Sequence, residues 1–189
     1  MCYTKPIEHL KYTKEYRYAP MEIERKFTVK ALPENLDSYP FHLIEQAYLN
    51  TDPVLRIRRQ DDAYYLTYKG KGLMAREEYN LPLNQSSYEH LLPKADGICI
   101  SKKRYLIPWD PYTIELDVFE KSLAPLIIAE VEFPSIEEAN AFTPPDWFDQ
   151  DVTKDPAYHN SNLSAVPCDH SRCFSVSFYP LTFRCYPPS

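Results

Sequence analysis

Apolar and polar residues alternate with a period of two over most of residues 21–133, the pattern of strands with one dry and one polar face. In Met21–Val29 (M-E-I-E-R-K-F-T-V), Glu22, Glu24 and Lys26 share one parity, with Ile23, Phe27 and Val29 on the other. The alternation predicts further strands over residues 42–50, Val54–Gln60, Ala63–Lys69, residues 74–83, residues 98–107, Tyr112–Phe119 and residues 126–133. In Val54–Gln60, Arg56 and Arg58 occupy one face and Leu55 and Ile57 the other. Short connections such as Asp61-Asp62 and Gly70-Lys71-Gly72 predict antiparallel hairpins rather than crossover helices. Helical signals are few. Residues 86–92 follow a cap at Ser86 or Ser87 and end before Gly97. Residues 135–142 open with Ser135 and Glu138 at capping-box spacing. Residues 155–163 give a weak terminal helix.

Nearly every strand carries charge on one face. The set is Glu22, Glu24, Glu78, Glu115, Asp117, Glu130 and Glu132 against Lys26, Arg56, Arg58, Lys69, Arg76, Lys102 and Arg104. On an open sandwich such faces meet solvent and mean little. Closed into an eight-stranded barrel, they would line a hydrated bore while the apolar faces pack outward. Dry burial would cost several kcal/mol per ion unless each charge is paired. In a bore, bases suit phosphate oxygens, Arg through two parallel donors, and clustered carboxylates suit Mg²⁺ or Mn²⁺. The residues alone leave the open sandwich and the closed barrel both standing.

Composition narrows the chemistry. Only three glycines are present, so neither a Walker loop nor G-x-G-x-x-G can be written, and charged side chains must hold any phosphate. Residues 21–164 carry 15 Lys and Arg against 24 Asp and Glu, which argues against a nucleic-acid partner. No apolar run is long enough for a membrane span, and residues 1–20 lack a signal-peptide core, so the expected location is cytoplasmic. Five cysteines, four of them near the ends, do not read as a disulfide framework. Cys168 and Cys173 lack the second ligand pair of a zinc site.

The ordered set E-I-E-R-K, R-I-R, Y-x-L-T-x-K, R-E-E-Y, K-K-R-Y, I-E-L-D-V-F and A-E-V-E-F resembles the CYTH domain of the triphosphate tunnel metalloenzymes. The ending W-F-D-Q-D-V-T-K-D-P-A-Y-H-N is similar too, and the likeness runs from Met21 to about Ser164. It implies an α+β fold, a mainly antiparallel, eight-stranded closed β-barrel (tunnel) with a few short helices, which hydrolyses small substrates ending in triphosphate using Mg²⁺ or Mn²⁺. By position, Glu22, Glu24, Glu130 and Glu132 correspond to metal carboxylates. Lys26, Arg56, Arg58, Lys69 and Arg104 correspond to phosphate-binding bases, with Lys102 and Arg76 as helpers. Lys69 also belongs to the expected catalytic group with Glu78, Glu115 and Asp117, the three acids for a second metal or the attacking water. Arg76 and Asp117 read equally well as internal salt bridges.

Inorganic tripolyphosphate is the leading substrate on this reading. The alternatives are a nucleoside or thiamine triphosphatase, a class IV adenylate cyclase, or a non-catalytic polyphosphate-binding module. The resemblance leaves a homodimer open. The chain departs from the family pattern at Asn80, where an acid is common, at Asp149, and at His159, near a position often basic. The expected layout is an extra arm over residues 1–20, the domain over 21–164, and a tail over 165–189 that fits neither the family nor a helix.

Overall fold

The computed structural model describes residues 21–165. The expectations for an arm at residues 1–20 and for almost all of the tail lie outside those residues. Nine strands form: β1 (Met21–Val29), β2 (Phe41–Thr51), β3 (Val54–Gln60), β4 (Ala63–Lys69), β5 (Ala75–Leu83), β6 (Asp96–Trp109), β7 (Tyr112–Phe119), β8 (Ile127–Glu132) and β9 (Phe148–Asp151). Three short helices join them, α1 (Gln85–Leu91), α2 (Ile136–Ala141) and α3 (Asn160–Leu163).

Eight strands close on themselves in the order β1-β5-β4-β3-β2-β6-β7-β8, every neighbouring pair antiparallel. The seam is β1. Its Met21 and Ile23 lie opposite Glu77 and Ala75 of β5, while Glu24 and Thr28 lie opposite Glu132 and Ile128 of β8. The ninth strand, β9, adds to β1 at Phe27 and Val29. Alternation does not predict it, because four residues with one apolar side chain are too short to show a period.

The apolar parity points out of the barrel, where helices cover it. Phe27 packs between Phe148 and Phe142, with ring centroids 4.7 and 6.1 Å away. It belongs to a cluster with Ile114, Leu116, Val131 and Ala139 of α2. Across the barrel, α1 lays Tyr88 over Ala47 and Ile57. Asn84, not Ser86 or Ser87, caps α1, its side chain accepting from Ser87 N at 2.8 Å. The helix begins one residue earlier than expected, so Ser87 is the third helical residue and supplies the N–H that a cap satisfies. The cap expected on α2 forms, with Ser135 Oγ accepting from Glu138 N at 3.1 Å. The weak terminal helix divides into a 3-10 turn, Pro156–Tyr158, and α3. Among the described residues no helix is long and apolar enough to cross a membrane.

Candidate active site

With apolar side chains committed outward, the opposite parity lines the barrel's interior. The same tunnel is lined by Glu22, Glu24 and Lys26 of β1, Arg56 and Arg58 of β3, Lys69 of β4, Arg76 and Glu78 of β5, Lys102 and Arg104 of β6, Glu115 of β7, and Glu130 and Glu132 of β8. The cavity they enclose measures about 260 Å³. That lies below the ~300–1,000 Å³ of sites for larger, mainly apolar ligands, and with charged walls it suits a small polyanion.

Two networks organise most of the charge. On the β1–β5 side, Lys69 Nζ donates to both Glu22 oxygens at 2.7 Å and lies 2.6 Å from Glu78. Arg76 bridges Glu22 at 3.0 Å and Glu24 at 2.9 Å, and Glu24 is 3.1 Å from Lys26 Nζ. On the β6–β8 side, Arg104 donates two bonds of 2.7 Å to Asp117, another of 2.5 Å to Glu130, and one to Glu115. Lys26 donates to Glu130, and Lys102 to Asp117. Burial opposes the Lys26 charge, yet Glu130 and Glu24 outweigh it and hold the pKa above the usual lysine range. For Lys102 the balance goes the other way: burial first, then Arg104, bring its pKa down to about 8 despite Asp117.

Asp117, expected near an attacking water or second metal, is fully buried and does not reach the tunnel wall. Both its oxygens are taken by Lys102 and Arg104, so it is the salt-bridge member of the set. Asn80, the missing acid, accepts from Thr67 Oγ1 at 2.7 Å and donates to Glu78 at 2.7 Å, which orients that carboxylate.

Three expected site residues escape this mutual pairing. Arg56 makes long contacts to Gln46 (3.4 Å) and Thr67 (3.3 Å) and acts on the Tyr48 hydroxyl, and its Nε is buried without a partner. Arg58 likewise has a buried, unpartnered Nε, and among the described residues no carboxylate lies within ion-pair distance of either guanidinium. Burial, then Arg56 and Arg104, push Arg58 down to about 10. Glu132 is the opposite case. It lines the tunnel with no side-chain hydrogen bond or ion pair among the described residues. Burial, then Glu115, Glu22 and Glu24, push it up to about 7.

Glu132 also tests whether the carboxylates suit a metal. Its raised pKa marks a corner where acids outnumber the bases that could neutralise them, and hard oxygen donors there fit a hard divalent cation. Among the described residues no three acid, His or Cys side chains converge as a ready-made ligand set. Bases are interposed, because Glu22, Glu24 and Glu130 each hold Lys or Arg. The sequence suggests that Glu22 and Glu24 hold nothing structural; in the fold they anchor Lys69, Arg76 and Lys26.

The tunnel also contains residues that charge alternation did not single out. Gln46 and Tyr48 of β2 carry the inward parity and could have been read from it. His42 lines the wall with Nδ1 2.6 Å from Asp61. His159, Asn160 and Ser161 enter from the chain's far end, with no periodic signal to announce them.

A CYTH domain family model matches residues 20–158. An inorganic triphosphatase of Nitrosomonas europaea is 41% identical over 149 residues, which span 76% of this chain and 96% of that protein. An inorganic triphosphatase of Acetivibrio thermocellus is 36% identical over 158 residues, covering 77% and 94%. The crystal structure of an inorganic triphosphatase superposes with TM-score 0.60 at 37% identity, covering 77% of this chain and 96% of the other. A Bacillus halodurans structure with TM-score 0.53 and 20% identity shares the fold alone. A closed antiparallel barrel with a charged interior and a family match across almost all the described residues lead to one assignment: the chain belongs to the CYTH domain family.

Proposed function

We propose that the tunnel binds a short phosphate chain with Mg²⁺ or Mn²⁺ and hydrolyses its terminal phosphate, with inorganic tripolyphosphate as the substrate. The observation that carries this reading is the pair Arg56 and Arg58. A lining of internal salt bridges would leave neither guanidinium without a carboxylate, whereas a polyanion site requires free donors. The likeness to two inorganic triphosphatases supports the same substrate.

In this mechanism Arg56 and Arg58 take phosphate oxygens, with Lys26, Lys69, Arg76, Lys102 and Arg104 completing the cradle. Glu22, Glu24, Glu130 and Glu132 are the carboxylates that would hold the cation. When bound, it supplies Lewis-acid stabilisation of charge on the phosphoryl oxygens. Glu78, fixed by Asn80 and Lys69, and Glu115, fixed by Arg104, are placed to orient the attacking water. Holding the chain in line with that water lowers the entropic cost of reaction.

The test is orthophosphate release from tripolyphosphate by the full chain with Mg²⁺ or Mn²⁺, repeated with excess chelator. Release that stops on chelation is expected. No release with either metal would overturn the proposal.

A further inference from the structure

The tunnel's least explained groups lie on the segment that follows β9. His159 is 8% exposed, lines the tunnel, and has a buried Nε2 with no hydrogen-bond partner. Beside it the Asn160 side chain also lines the tunnel, and its buried Oδ1 has no partner. Leaving a buried polar atom unpaired is costly, and two of them on adjacent residues that line one cavity point to a ligand.

The segment is fixed on both sides. Val152 N donates to Lys26 O at 2.9 Å, and Thr153 Oγ1 accepts from Lys26 N at 3.0 Å. At its far end Ser164 O accepts from Ile98 N at 2.8 Å, over Gly97, where a Cβ would lie 2.1 Å from that carbonyl oxygen. Leu163 and Tyr158 pack on Tyr48, Ile100 and Val54. His159 is therefore held against the tunnel by a cap tied to Lys26.

The imidazole's tautomer follows from its other bond. The Thr153 backbone favours a proton on the ring, as a carbonyl acceptor does, and with Nε2 unpartnered Nδ1 is the nitrogen that serves it. With the proton on Nδ1, Nε2 is left as an acceptor. The charged groups acting on the ring are Lys26 and Arg76, which disfavour a second proton, and Glu24, which favours one. Such a ring meets a phosphate oxygen only if one proton lies between them, carried in by a P–OH or taken up at Nε2. Asn160 can turn either its oxygen or its NH₂ toward the same group.

We propose that His159 and Asn160 form an end-group subsite that seats a terminal phosphate of the substrate against the C-terminal cap, through one shared proton at His159 Nε2. The subsite deepens the triphosphatase reading and rests on it. It makes His159 a specificity-determining residue for chains ending in a free phosphate. No P–O bond is made or broken there; only a proton moves, between solvent, imidazole and phosphate.

The experiment compares wild type with H159A and H159Q, the latter retaining a hydrogen-bonding amide near Nε2. Steady-state kinetics on tripolyphosphate with Mg²⁺ give KM and kcat separately. Calorimetric titration with tripolyphosphate in excess chelator, at pH 7.5 in two buffers of different ionisation enthalpy, counts protons taken up on binding. H159A is expected to raise KM about tenfold, with kcat changed far less, and H159Q to recover part of that loss. Wild type is expected to take up protons that H159Q does not. The proposal is overturned if wild type turns over tripolyphosphate while both variants keep its KM and proton uptake. Wild type that does not turn over tripolyphosphate would instead defeat the function reading itself.

Discussion

Arg58 and Arg104 separate binding from stability because one guanidinium has no carboxylate among the described residues, only the Tyr65 ring 5.9 Å away, and the other holds three acids. Arg58→Met removes a half-buried charge that burial and two neighbouring arginines already disfavour. The expected result is an unchanged or higher thermal midpoint together with a raised KM for tripolyphosphate. Arg104→Met leaves Asp117 and Glu130 with one lysine each and Glu115 with no ion pair among the described residues. Breaking a buried pair from one side costs about 3–5 kcal/mol, so its midpoint should fall steeply. Thermal melts of the two variants provide the check. His159 supplies the pH dependence. Burial, then Lys26 and Arg76, lower its pKa below the ordinary 6.5, so the folded chain holds fewer protons than the unfolded one. Its contribution to stability is complete above about pH 6.5 and is lost as pH falls below it. H159Q should flatten that part of the stability–pH curve.

The strands were legible because polar and apolar residues alternate along most of their length. β1, β3, β4 and β7 fall where alternation puts them, since a one-residue slip would turn every charge outward. Alternation says which side chains face inward but not how far each reaches. Glu115 and Asp117 have the same parity on β7, yet one lines the tunnel and the other lies beneath Lys102 and Arg104. Nor could the sequence reveal that Arg56 and Arg58 lack carboxylates, because counting equal acids and bases hides where each sign sits. β9 and the cap are too short for a period, and their place depends on contacts with β1 and Gly97. Gly97 has φ of 69° and no room for a methyl group. Gly97→Ala should therefore loosen the cap, measurable as faster amide exchange at Ile98, whose N–H bonds to Ser164 O. On the outer face, Phe27→Ala should cost about 3–5 kcal/mol in a denaturant melt, as expected for a buried ring between aromatic neighbours.

At the scale of the whole molecule, the barrel turns its hydrophobic faces outward against helices and spends its interior on charge. Much of that charge is self-neutralising, and a tunnel serving only to hold strands together would end there. Two features break the balance: guanidinium groups without carboxylates on β3, and Glu132 on β8 without a base. A metal–triphosphate complex answers both, with phosphate for the arginines and a cation for the acids. Glu132 gives the cleanest test because it has no side-chain partner to lose, unlike Glu22, Glu24 or Glu130. The deciding measurement is Mg²⁺-dependent release of phosphate from tripolyphosphate by Glu132→Gln beside wild type, with thermal midpoints recorded for both. The account predicts turnover reduced by about a hundredfold or more, with a midpoint no lower than wild type. A Glu132→Gln chain that keeps full metal-dependent turnover would contradict it.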